Sequence, residues 1–361
     1  MYKIFTVLGT RPEIIKLSRI INIFDNFFDH KLIHTGQNFD YELNQIFFKE
    51  LGIREPDVFL SCAKKTSIET ISEILIKFEK LIIKDRPDAI FVLGDTNSAF
   101  ASLSAKKNKI ITFHYEAGNR CFDNSVPEEI NRKIIDHISD FNFTYTEISK
   151  QNLIREGISS EKIINIGSPM MEVIDYYKEK IENSKIIEEL KVKKKKYFLV
   201  SLHREENVDD KEKLLTFLKS IDALCKIFKV KAIVSTHFRT AQKLKNISFN
   251  SKNLIFKKPF GFFDYMSLQK NALVTLSDSG TLSEESSILG KSSIHLRHCT
   301  ERPEGIENGA IIIGGSSIKK LISAVNIVLA DKKIYNKDSY NKLNISNIVL
   351  KSIISYLEYY R

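Results

Sequence analysis

No stretch of the 361 residues is apolar for long enough to cross a bilayer, which leaves a membrane-spanning segment without a candidate. The opening residues, Met1 to Leu8, run directly into a strand pattern. They carry no basic segment, apolar stretch and small-residue cleavage site of a secretion signal, which predicts a cytoplasmic protein. Cysteine is scarce, and Cys62, Cys121, Cys225 and Cys299 form no CxxC pair. That argues against a zinc knuckle, a redox motif or a disulfide framework. There is no GxGxxG after the first strand-like run and no GxxxxGK followed by Ser or Thr, so NAD and P-loop readings lose their main support. Internal repeats and low-complexity tracts are also missing.

The residues present describe ordinary globular material, with 43% hydrophobic and 28% charged. The net charge of +10 raises the question of nucleic acid or anionic membrane, but the lysines are scattered and the only dense run is Lys193 to Lys196. No RNA-binding aromatic signature accompanies it. A solvated lysine-rich surface is the better reading, with no nucleic-acid or membrane partner and some potential left to attract an anionic substrate.

Short runs of Ile, Val and Phe alternate with longer amphipathic stretches. Strands are expected at Lys3–Leu8, Lys31–His34, Ala89–Leu93, Ile110–His114 and Asn142–Thr146, with helices at 14–24, 68–84 and 128–139. The pattern restarts at Tyr197–Leu202 and continues through 231–235, 254–257, 272–276, 293–296 and 311–313. This predicts an α/β chain of two Rossmann-like domains. The first spans 1–172, a charged helix and linker cover 173–196, the second spans 197–344, and a final helix at 345–361 packs back on the first.

Ligands of open α/β sheets bind beyond the carboxyl ends of the strands, and polar clusters are dense there. Gly9-Thr10-Arg11-Pro12-Glu13 with Lys16 follows the first strand. Thr10 and Glu13 read as a capping box, whereas Arg11 and Lys16 put two cations at a helix N-terminus and invite an anion. Asp95, Glu116 and Glu128 follow or open neighbouring elements. Carboxylates sharing a site push at least one pKa upward, which suits proton transfer. Each has a structural alternative: Asp95 as a helix cap, Glu116 as a backbone partner, and Glu128 closing a capping box with Ser125. Ser201-Leu202-His203-Arg204-Glu205-Glu206-Asn207 opens the second domain, and His203 there suits phosphate binding or proton transfer. Asp278-Ser279-Gly280-Thr281 offers backbone N–H groups to a diphosphate. Glu284 is expected to cap with Thr281, leaving Glu285 to reach a ribose hydroxyl. His295 and His298 lack the carboxylate–histidine spacing of a metal site, so no metal is expected.

These motifs, with Gly94-Asp95-Thr96, Glu116-Ala117-Gly118, Pro127-Glu128-Glu129, Asn131-Arg132 and Thr300-Glu301-Arg302-Pro303-Glu304, occur in an order that resembles the non-hydrolysing UDP-N-acetylglucosamine 2-epimerase family over nearly the whole chain. The resemblance implies a fold like the GT-B glycosyltransferases with a central cleft, and a homodimer. UDP is then a bound leaving group, with no cofactor required. It implies that Asp95, Glu116 and Glu128 are the catalytic acids, and that Lys16 and His203 are the assisting cations. Arg11, Ser279, Gly280 and Thr281 then hold phosphate, Glu285 the ribose, and Tyr265, in the segment 260–265, the uracil, with Arg302 also in the UDP-binding set. Which carboxylate removes the C2 proton stays open.

The stretches Glu116–Asp123, Gly167–Glu172 and Asp278–Thr281 resemble the branch that makes UDP-N-acetyl-L-fucosamine from UDP-2-acetamido-2,6-dideoxy-L-talose, a sugar for capsule or O-antigen. UDP-GlcNAc/UDP-ManNAc 2-epimerisation and the L-rhamno to L-quinovo reaction are the alternatives, and a GT-B glycosyltransferase comes from another class. Gln37-Asn38 stands where the family usually has Gln-His, which puts activation by a second substrate molecule in doubt.

Overall fold

Uninterrupted β-branched and aromatic runs form strands that are covered on both faces. In the computed structural model, which describes residues 1–37, 41–245, 247–331 and 340–358, Ala89–Leu93 is buried at all five positions. The chain divides into two units, Met1–Asp175 with Ser339–Arg361, and Tyr176–Asp338.

The first unit carries a sheet of β1 (Lys3–Leu8), β2 (Asp29–His34), β3 (Val58–Phe59), β4 (Ala89–Leu93), β5 (Ile111–Tyr115), β6 (Phe141–Thr144) and β7 (Ile163–Asn165). All neighbours are parallel, in the order β3-β2-β1-β4-β5-β6-β7. The second unit repeats the plan with β8 (Tyr197–Leu202), β9 (Lys231–Thr236), β10 (Leu254–Lys257), β11 (Val274–Ser277), β12 (Ser293–His295) and β13 (Ile311–Ile313). Its order is β10-β9-β8-β11-β12-β13, also parallel. The strand order reverses between β1 and β4 in one sheet and between β8 and β11 in the other. Connections leaving such a pair diverge to opposite faces, and the gap they open is where ligands of this architecture bind.

Helices cover the sheets through apolar residues at helical spacing. In the helix Ser67–Lys84, Ile74, Phe78 and Ile82 are buried against Phe5, Val7, Ile90 and Val92. A capping box starts it: Thr66 Oγ1 accepts from Glu69 N at 3.2 Å, and Thr66 N donates to Glu69 at 3.0 Å. The final helix, Ile345–Tyr356, returns to the first unit. There Glu172 accepts from Ser346 N at 2.8 Å, and Tyr356 packs on Phe141 with ring centroids 4.4 Å apart. Residues 359–361, which the sequence reading included in this helix, lie outside the described residues.

Three details differ from the sequence reading. β5 runs one residue later than expected, so Glu116 leaves it directly, and β6 stops at Thr144, so Tyr145 lies beyond it. The charged segment 172–189 is not one helix but the end of Met170–Tyr176, then Lys178–Glu182 and Ile186–Glu189. Ser184 supplies a reason: its hydroxyl donates to Asp264 at 2.6 Å and accepts from Ile186 N at 3.3 Å, in competition with helical bonding. β3 and β7, two and three residues long, are too short to leave a periodic signal.

Candidate active site

In the first unit, the loops after β1, β4 and β5 converge because their strands are neighbours. Leu93 and Tyr115 are paired in register, and Gly94 N donates to Tyr115 O at 2.8 Å. Asp95 and Glu116 therefore leave adjacent strand ends. Each carboxylate is held by a cation from a helix. Lys16 Nζ lies 2.6 Å from Glu116 Oε2, with the lysine side chain 4% exposed, and Arg132 Nε lies 2.7 Å from Asp95 Oδ2. Asn131 donates to Asp95 O at 2.8 Å. Two consecutive residues thus dock the helix Pro127–Ile138 on Asp95, which brings half-buried Glu128 in its first turn to the same edge.

The supports beneath are buried. Glu129 is wholly buried; it accepts from Cys121 N at 3.0 Å, Phe122 N at 3.2 Å and Arg132 Nη1 at 2.9 Å. Burial works to raise its pKa, but the Cys121 bonds and the Arg132 charge overcome that and lower it. His114 Nε2 bonds Gly94 O at 2.9 Å, and Asp136 accepts from Gly118 N while pairing with Arg120 at 2.7 Å. Gly118 has φ +80, and a Cβ there would lie 2.2 Å from Ser149 O, so only glycine fits after the Glu116 turn. Glu116 itself has φ +71, a strained conformation for a residue with a side chain.

In the second unit, the loops after β8 and β11 meet at the other reversal point. Asp278 is wholly buried and accepts from the backbone N of His203 at 3.1 Å, of Arg204 at 3.0 Å, and from Asn207 at 3.1 Å. Its Oδ1 also lies 3.0 Å from His203 Nδ1. Burial acts to raise its pKa, yet the His203 charge and these donors hold it well below the usual carboxylate range. The contact fixes which imidazole nitrogen is engaged, and the ring remains a third exposed. Ser279 Oγ lies 3.0 Å from Thr281 Oγ1. A Cβ on Gly280 would meet Glu301 Oε1 at 2.4 Å, a carboxylate locked by Arg297 at 2.7 Å. Arg302, 2% exposed, pairs with Glu284 at 3.1 Å. Tyr265 packs with Phe260 against the cluster of Tyr197, Leu199 and Leu268.

A family model described as UDP-N-acetylglucosamine 2-epimerase matches residues 24–354. The chain belongs to this 2-epimerase family. It is accordingly an isomerase, a UDP-N-acetylhexosamine 2-epimerase. The UDP-N-acetylglucosamine 2-epimerase of Methanocaldococcus jannaschii is 40% identical over 367 residues, 99% of this chain and 100% of that protein. A crystal structure of that Methanocaldococcus jannaschii enzyme with UDP-GlcNAc and UDP matches at a TM-score of 0.92 and 38% identity, covering 98% of this chain and 99% of the other. The Rickettsia bellii UDP-N-acetylglucosamine 2-epimerase structure matches at 0.91 and 41% identity, with 99% and 98% covered. The expected architecture, two parallel-sheet α/β units of GT-B-like type, is the one this epimerase has.

Several local alternatives are decided by the epimerase's geometry. Thr96, not Asp95, caps the turn that follows, with Oγ1 accepting from Ser98 N at 3.3 Å. Glu128 forms no capping box with Ser125, because Val126 is the cap residue and Ser125 bonds Asp123 instead. Glu13 does close the capping box with Thr10, and it also accepts from Thr96 Oγ1 at 2.7 Å. Lys16 Nζ is paired with Glu116, and the Arg11 guanidinium sits 5.3 Å over the Phe47 ring. Thr281 donates to Glu285 at 2.7 Å rather than pairing with Glu284, which Arg302 holds. The Gln37-Asn38 position is seen only in part: Gln37 accepts from Ser98 N at 2.8 Å, and Asn38 lies outside the described residues. Among the described residues no group of three or more His, Cys, Asp or Glu gathers as a metal set, and no helix is long and apolar enough to cross a membrane.

The sequence reading assigned no role to Arg132, Glu129, Asp278 or Tyr145. The first three lie inside the motifs at the strand ends, where their identity is visible but their partners are not. Tyr145 falls inside the expected strand Asn142–Thr146, which hides it.

Proposed function

We propose that the chain interconverts UDP-GlcNAc and UDP-ManNAc. A carboxylate at the β4–β5 edge takes the C2 proton while the C1–O bond to UDP breaks, and the electron pair forms the C1=C2 bond of a 2-acetamidoglycal. A second acid returns a proton to the opposite face of C2, and a UDP oxygen adds back at C1. The observation that carries this is the pairing of Asp95 with Arg132 and of Glu116 with Lys16 at one sheet edge. Such a pair of held carboxylates suits abstraction and return of one proton.

In this reading Asp95, Glu116 and Glu128 share the proton transfers, Lys16 offsets charge beside Glu116, and His203 meets the leaving diphosphate. Arg11, Ser279, Gly280 and Thr281 bind phosphate, with Arg302 steadying their helix through Glu284. Glu285 binds the ribose and Tyr265 the uracil. The reaction moves one proton and one leaving group without net redox change, so neither a nicotinamide nor a metal is required. The same reading takes the enzyme to be a cytoplasmic homodimer.

A second substrate is favoured by one feature. Phe122, between Glu116 and Glu128, is 74% exposed with φ +56. An apolar ring held in a costly conformation suits a 6-deoxy sugar, either the L-talo to L-fuco reaction that supplies capsule or O-antigen, or the L-rhamno to L-quinovo one. A substrate panel in D₂O, followed by NMR, decides among these. Deuterium entering C2 of UDP-GlcNAc with UDP-ManNAc formed is the expected result, whereas exchange confined to a 6-deoxy-L-sugar nucleotide selects the second reading. No exchange with any of them sinks the epimerase assignment.

A further inference from the structure

Glu116 has two donors on one oxygen, and the second comes from a residue beyond the end of β6. Tyr145 Oη donates to Glu116 Oε2 at 3.1 Å, beside Lys16 Nζ at 2.6 Å. Tyr145 is 2% exposed and stands directly beyond the end of β6. Its ring meets Tyr115 edge-on at 5.0 Å, and Tyr115 is itself tied by a 2.6 Å hydrogen bond to Gly167 O. Lys16 Nζ lies 5.3 Å from the centroid of the same Tyr145 ring. The phenol thus touches both members of the Lys16–Glu116 pair, the acid through its hydroxyl and the cation through its π face.

We propose that Tyr145 is a positioning residue for Glu116 in the 2-epimerase reaction, a role that rests on the proton-transfer reading given above. The ammonium of Lys16 is a point charge on a flexible stem with three rotatable donors, so alone it leaves the carboxylate plane poorly defined. Tyr145 adds a donor whose direction is fixed by a buried ring. Two donors on Oε2 hold the carboxylate in one orientation, so each catalytic cycle begins from one geometry. The strained backbone at Glu116 needs this help, because φ +71 gives the side chain a base that ordinary packing does not favour.

The test replaces Tyr145 by Phe, which keeps the ring against Tyr115 and removes only the hydroxyl. Tyr145→Phe lowers kcat about tenfold with KM nearly unchanged. Tyr145→His, which retains a ring and an N–H donor, recovers part of the lost turnover. Independently of turnover, the 13Cζ signal of Tyr145 in tyrosine-labelled protein shifts in Glu116→Gln while the other tyrosines stay put. Wild-type kcat in Tyr145→Phe, or an unmoved Tyr145 signal in Glu116→Gln, overturns the proposal. A wild-type chain that exchanges no C2 proton refutes the epimerase reading instead, and the NMR arm still decides whether the tyrosine holds the acid.

Discussion

Asp95 and Glu116 share an edge but are held by different means, and the difference sets what each substitution does. Asp95 pairs with Arg132, which Glu129 also holds, so Asp95→Asn leaves the arginine a buried partner. Glu116→Gln keeps an oxygen for Lys16 to donate to. Asp95→Asn leaves no buried charge without an anion and lowers the melting temperature by a few degrees at most, whereas Glu116→Gln takes the carboxylate from a lysine side chain that is 4% exposed and lowers it further. Asp95→Asn and Glu116→Gln should each depress turnover by ~10²–10⁴-fold, and His203→Ala by a similar factor. Steady-state kinetics beside melting curves check this, and near wild-type turnover in all three would remove the site assignment. The identities of these residues were legible in the sequence. The pairing of Lys16 with Glu116, 100 positions apart, was not, because spacing along a chain does not say which side chain a lysine will find.

One buried group governs the element that opens the site. Glu13, in the first turn of the helix Arg11–Phe27, is 1% exposed and ties that turn to the β4 loop through Thr96. Burial pushes its pKa up to about 7, against the pull of donors from Thr96, Gly9 and Thr10. A carboxyl whose folded pKa lies above its unfolded value binds protons more tightly when folded. Its contribution is therefore fully present below about pH 4.5 and is lost as pH rises through about 7. Urea unfolding at pH 5 and pH 8 should show wild-type stability falling by up to ~3 kcal/mol from this group. The fall should be absent in Glu13→Gln, and an identical slope in both proteins would refute the shift. The capping box was readable from Thr10 and Glu13 alone, since it is a local pattern. The link to Thr96 required β1 and β4 to be neighbours, which no local pattern states.

Over the whole molecule the proposed roles divide between the units. The held carboxylates lie in Met1–Asp175, and the Asp278–Thr281 turn with its His203 partner lies in Tyr176–Asp338. UDP binding and proton transfer should therefore separate by mutation. By calorimetric titration, Asp95→Asn and Glu116→Gln should bind UDP within about twofold of wild type, whereas Gly280→Ala should bind at least ~10-fold more weakly. The physical reason is the 2.4 Å approach of Glu301 to the added carbon, which forces the turn or its locked carboxylate to move. Equal UDP affinity in all three would place the nucleotide elsewhere.

The sequence by itself determined the alternation of strands and helices, the division into two Rossmann-like halves, and the polar residues at each strand end. These follow from side-chain period, turn chemistry and residue type, all of which are local. Tertiary structure alone decided the order of the strands, and with it which loops became neighbours. It placed Tyr145 against Glu116, set Arg132 on Asp95 and gave Thr281 to Glu285 rather than Glu284. Each of those partnerships depends on packing between elements, and a hydrogen bond is chosen by distance in space rather than by distance along the chain.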